Sequence, residues 1–90
     1  MNFSIALNKV KIGLKLARKG WSGKNMFIFL VNGSTFNVSR PPLNRVFSEG
    51  TEIIYQPHID MCTADGRIVP WLPSQSDLLA SDWEVINTKE

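Results

Sequence analysis

Ninety residues with ten basic and eight acidic side chains carry a formal net charge of +2, too balanced for the overall field to draw in DNA, RNA or an anionic membrane surface. A core this small hides only about 60% of the surface that the unfolded chain exposes, so one domain spanning 1–90 is expected, and Cys62, the lone cysteine, excludes an internal disulfide as its support. Self-association is then the leading route to stability, and three tryptophans with five phenylalanines supply more aromatic surface than one thin layer hides.

The N-terminal stretch holds no long uncharged apolar run, because Lys9, Lys11 and Lys15 interrupt it. Neither export nor membrane insertion is indicated, and the cytoplasm is the expected compartment. Phe3, Ala6, Leu7 and Val10 recur at i, i+3, i+4 and i+7, which predicts a helix over 3–12 with one apolar face. Asn2 or Ser4 can cap its start, and Gly13 suits the left-handed residue that ends it. Residues 14–19 read as a strand. The loop 20–24, GWSGK, sets two glycines around a tryptophan, an arrangement that uncovers backbone amides and stands an indole at the rim.

Residues 26–31 form an apolar, aromatic strand. Asn32, Gly33 and Ser34 give a reversal, which predicts that 35–38 folds back on that strand as its hairpin partner. Residues 39–51 are the one long loop, with Pro41 and Pro42 barring regular ladder bonds, and loops of this length usually close over a ligand or meet a partner. Strands are expected at 52–55 and 58–63, the second with Ile59 and Met61 on one face and His58, Asp60 and Cys62 on the other. The chain turns at Asp65 and Gly66, returns antiparallel over 67–69, and breaks at Pro70 to Pro73. Ser74 caps a short helix whose first turn holds Asp77, 82–86 is the last strand, and 87–90 is a frayed tail. The fold class is α+β, with an N-terminal helix on a small, mainly antiparallel sheet and a second short helix before the last strand.

The imidazole, carboxylate and thiol of His58, Asp60 and Cys62 share one strand face. Residues two apart on a strand lie about 6.6 Å apart in Cα, and a structural zinc site needs a fourth ligand at spacings that are missing, so a hydrogen-bonded strand face is the simpler reading. There is no Gly-rich phosphate loop of the Lys-Ser/Thr type and no recurrent carboxylate pair, and neither metal nor cofactor is expected. Trp83 falls in the last strand and reads as core. Trp21 and Trp71 sit in loops beside glycine or proline, where they serve equally as core or as stacking platforms. A purine stacked on Trp21, beside the cations Arg18 and Lys24, would gain about 1–3 kcal/mol.

RKGWSGK at 18–24, FNVSRPPLN at 36–44 and HIDMCTADGRIVPWLPSQSDLLASDW at 58–83 resemble the second Thoeris anti-defence family, small bacteriophage proteins, across nearly the whole chain. What the resemblance implies is a sponge. The host's Thoeris defence makes a cyclic ADP-ribose isomer as an alarm signal, and members of this family sequester it without cleaving it. The resemblance also implies homotetramers with pockets shared between subunits, and some members hold cyclic di- or trinucleotides of the related CBASS defence in a separate site. On the chemistry of such a ligand, Trp21 and Trp71 would flank the adenine, and Arg18, Lys24 and Arg40 would meet the diphosphate. Asn25, Asn37, Asp60 and Asp77 would meet hydroxyls, and Ser22 and Ser74 either group. Two alternatives remain: a signal hydrolase using His58 and Asp60, and a protein that blocks a host defence enzyme through the 39–51 loop.

Overall fold

The computed structural model describes residues 1–21 and 25–86. The first helix, α1 (Phe3–Lys11), starts where Asn2 Oδ1 accepts the Ile5 N–H at 3.0 Å, and it ends beyond Ile12 at Gly13, whose φ of 101° suits a residue without a Cβ. Its inner face buries Ala6 and Val10 completely.

The strands follow as β1 (Lys15–Arg18), β2 (Phe27–Val31), β3 (Ser34–Asn37), β4 (Glu52–Tyr55), β5 (His58–Cys62), β6 (Ile68–Pro70) and β7 (Trp83–Ile86), with α2 (Gln75–Leu79) between the last two. The five-stranded sheet has the order β6-β5-β2-β1-β7, and every pairing in it is antiparallel. This is the expected α+β class with the expected two helices. Helix α1 lies over β1, β2 and β7. Ala6 and Val10 meet Leu16, Ile28 and Trp83 there, and Trp83 is only 2% exposed. β6 runs one residue past its expected end: Pro70 is its last residue, opposite Asp60 on an edge strand, where a missing N–H is tolerated. Among the described residues no helix is long and apolar enough to cross a membrane.

The reversal expected at 32–34 and the partner expected for 26–31 are both corrected: with Val31 opposite His58 and Ser34 opposite Tyr55 in one continuous register, the chain runs on from 26–31 into 34–37 instead of folding back. Strand β3 pairs with β4 in a separate two-stranded ribbon, and β2 pairs with β5 instead, Ile28 opposite Met61 and Leu30 opposite Ile59. The physical reason lies in the side chains. β2 is the middle strand and needs apolar neighbours, which Ile59 and Met61 supply, whereas Ser34, Thr35 and Asn37 of β3 would set polar groups against the core. Gly33 forms the neck of the ribbon: a Cβ there would lie 2.3 Å from the Tyr55 carbonyl oxygen, so only glycine lets the two chains pass.

The segment 39–51, expected as one long loop, is the tip of this arm. Val38 N–H donates to the Thr51 carbonyl at 2.8 Å, Gly50 N–H donates to the Val38 carbonyl at 2.9 Å, and a 3-10 turn spans Leu43–Arg45. The arm gives the molecule a longest dimension of 46 Å and a radius of gyration of 16.0 Å, against about 12 Å for a compact chain of this length. The expected tail, 87–90, lies outside the described residues.

Candidate functional site

Alternation along β1 sends Leu16 and Arg18 to the face that α1 covers. Arg18 stands at the strand's end opposite Trp83, where the apolar core gives way to loops. Its guanidinium is gripped by two carboxylates: Nη1 donates to Asp77 Oδ1 at 3.0 Å and Nε donates to Asp82 Oδ1 at 2.9 Å. Asp77 Oδ1 also accepts the Trp21 indole N–H at 3.3 Å, and Asp77 Oδ2 accepts the Ser74 backbone N–H at 3.0 Å. Ser74 Oγ returns the bond by accepting the Asp77 N–H, a capping box that starts α2. The Trp83 indole N–H donates to the Asp77 carbonyl at 3.0 Å, so both loop and core converge on this one aspartate.

Above the clasp the aromatic rings interlock. Trp21 stands edge-on to Trp83 with centroids 5.3 Å apart, and Trp71 does the same at 5.9 Å while also meeting Phe3 at 5.7 Å. Both loop tryptophans therefore rest on the core through Trp83 and stay half-buried.

The electrostatics follow from this geometry. Burial alone would raise the Asp77 pKa, but hydrogen bonds from the Ser74 amide, Arg18 and Trp21 outweigh it and hold the carboxyl below the usual aspartate value. The Arg18 guanidinium, then the Gly20 amide, lower Asp82 likewise, and Asp82 and Asp77 raise Arg18. A carboxylate whose folded pKa is depressed adds stability that is complete above its unfolded pKa and is lost as pH falls through the folded one. The thermal midpoint is accordingly expected to stay flat from neutral pH down to about pH 4–5 and to drop below it. Asp77→Asn should be less stable at neutral pH and show a shallower acid slope, which calorimetry across a pH series measures.

The clasp unites Arg18, Trp21, Ser74 and Asp77, and Trp71 joins them through Trp83. Asn25 closes the same loop in the left-handed region at φ 64° and is exposed; Ser22 and Lys24 lie outside the described residues. Asn37 and Arg40 stand elsewhere, on the arm, where they line a recess of about 410 Å³ with Phe36, Ser39, Pro41 and Leu43. Asp60 is not beside the clasp either. Ile59 and Met61 pack on the core, so alternation turns Asp60 to the opposite face of the sheet, where it lies 3.5 Å from His58 Nε2. Sequence reasoning missed Asp82. Its role depends on the pairing of β1 with β7, two ends of the chain, and a lone aspartate before a strand carries no local signal of that pairing.

An N-terminal helix on a mainly antiparallel sheet, with a short second helix before the last strand and a cluster of tryptophans beside the Arg18 clasp, defines a small α+β module. The chain belongs to the Thoeris anti-defense 2-like domain family, whose pattern matches residues 1–86. It is similar to Thoeris anti-defense 2 of Bacillus phage SP01, with 38% identity over 88 residues, covering 97% of this chain and 96% of that protein.

Proposed function

We propose that this chain counters host defence by binding a cyclic ADP-ribose isomer and holding it intact. Family membership supports the anti-defence role. The observation that carries the binding reading is the pair of indoles, Trp21 and Trp71, both braced on the buried Trp83. A wall already in place spares the ordering cost that weakens binding by mobile side chains.

The clasp offers matching polar groups. A guanidinium has five N–H donors, and two of Arg18's are engaged by carboxylates that also take up its charge, which leaves donors for neutral acceptors such as ribose oxygens and assigns the diphosphate to other cations. The Asp77 carboxylate, with roughly four lone-pair sites, accepts three bonds and keeps capacity for a ribose hydroxyl. Both clasp carboxyls are held ionised, which suits accepting hydroxyl bonds and makes them poor proton donors to a leaving group.

Assembly into a homotetramer fits the arm. A two-stranded ribbon is at best marginal alone in water, and this one exposes Val46, Phe47, Ile54 and Tyr55. Pockets shared between subunits would let Asn37 and Arg40 of one copy serve the indoles of another, as their place on the arm allows. Cyclic di- or trinucleotides are then a second ligand class for the recess on the arm.

The test is incubation of purified protein with a Thoeris signal, removal of free ligand and release by heating. Intact signal should be recovered in proportion to protein. Recovery of linear ADP-ribose would establish hydrolysis instead, and stoichiometric co-purification with a Thoeris enzyme without signal affinity would establish direct inhibition.

A further inference from the structure

One residue, Asp82, meets three consecutive positions of the stretch that leaves β1 toward Trp21. Arg18 Nε donates to Asp82 Oδ1 at 2.9 Å, Lys19 N–H donates to the Asp82 carbonyl at 3.1 Å, and Gly20 N–H donates to Asp82 Oδ2 at 2.9 Å. Three consecutive residues thus each give one bond to Asp82. The turn closes when Trp21 N–H donates to the Arg18 carbonyl at 3.2 Å. The fit is close: a Cβ on Gly20 would sit 2.9 Å from Asp82 Oδ2 and would push that carboxylate oxygen aside. Asp82 itself is set by its neighbours, since Trp83 is locked in the core and its N–H donates to the Met1 carbonyl at 3.1 Å.

We propose that Asp82 is a positioning residue for the site, which fixes the 18–21 turn and so determines the fraction of molecules whose Trp21 indole already stands in the wall. The proposal rests on the reading that Trp21 meets the ligand. Asp77 holds the indole N–H; Asp82 holds the backbone that delivers it. The two act in series, because the indole reaches Asp77 only when the turn is closed. When only a fraction of molecules is competent, apparent affinity falls by that fraction. The contacts made after binding are unchanged, so the loss falls on association and not on dissociation. A side chain that touched the ligand directly would show the reverse.

The experiment uses the full chain with Asp82→Ala and Asp82→Asn. In ligand-free protein, amide exchange at Gly20 and Trp21 is expected to quicken about tenfold in Asp82→Ala, while the amides of Phe27–Val31 keep their protection. Stopped-flow binding of Thoeris signal purified from a producing reaction should show association slowed about tenfold and dissociation within about twofold. Asp82→Asn keeps an oxygen for Gly20 and should give the same pattern at reduced size, and it carries the test if the alanine variant loses protection at 27–31. Unchanged exchange at Gly20 and Trp21 overturns the proposal whether or not ligand binds. Faster dissociation with unaltered association overturns it too. Wild-type protein that binds no signal would sink the functional reading alone, and the exchange result would still decide whether Asp82 orders the turn.

Discussion

Replacing Trp83 by alanine is expected to lower stability by about 3–5 kcal/mol, the range for removing a large aromatic side chain from a packed core. Trp83 is 2% exposed and touches Phe3, Trp21 and Trp71 at ring-centroid distances from 5.3 to 5.9 Å. Its indole N–H also satisfies the Asp77 carbonyl. Truncation therefore opens a cavity under three rings at once and leaves a polar acceptor with no partner. Small domains are stable by roughly 5–15 kcal/mol, so the variant should be substantially unfolded or close to it. Urea denaturation followed by circular dichroism measures this. Trp83→Phe should recover most of the loss, since it refills the cavity and lacks only the hydrogen bond. If Trp83→Ala unfolds at the wild-type midpoint, the core has been placed wrongly.

Trp21 is expected to respond in the opposite currency, affinity rather than folding. Its ring is half-buried and leans on the edge of Trp83 without being enclosed, so its removal deletes one wall and opens no sealed cavity. Loss of one stacked base costs about 1–3 kcal/mol, which corresponds to about a fivefold to hundredfold weaker hold on the signal. Trp21→Phe keeps a stacking face and loses the donor to Asp77, and should fall between wild type and Trp21→Ala. Paired denaturation and binding curves for the three proteins measure the split. A Trp21→Ala protein that binds normally removes Trp21 from the site, and one that unfolds makes it core.

How far the sequence led depends on whether the deciding interaction was local. Helix α1, its Asn2 cap, the Ser74 cap with Asp77 in the first turn of α2, and the β5–β6 hairpin are all written in residues a few positions apart, and they stand where spacing put them. The face that His58, Asp60 and Cys62 share was also legible. Which side of the sheet α1 would cover was not legible in β5, and that choice separates Asp60 from the clasp. Asn32, Gly33 and Ser34 mark where β2 ends, but the chain does not reverse there: Val31 lies opposite His58 and Ser34 opposite Tyr55 in one continuous register, because a turn signal fixes where a strand ends and not which way the next one runs. The clasp itself was the least visible part. Arg18 lies 59 residues from Asp77 and 64 from Asp82 along the chain, and only the antiparallel pairing of β1 with β7 brings them together. The same pairing brings Trp21 to Trp83, whereas Trp71 reaches that ring from the end of β6, at the other edge of the sheet.

The proposed site for a cyclic ADP-ribose isomer stands on Trp21 and Trp71, braced by Trp83 and the Arg18 clasp. Titration calorimetry of the purified, folded protein with a Thoeris signal tests this most directly. A saturable heat that is strongly reduced in Trp21→Ala is the predicted result, and absence of any heat from wild-type protein at signal concentrations that activate a Thoeris effector would contradict it.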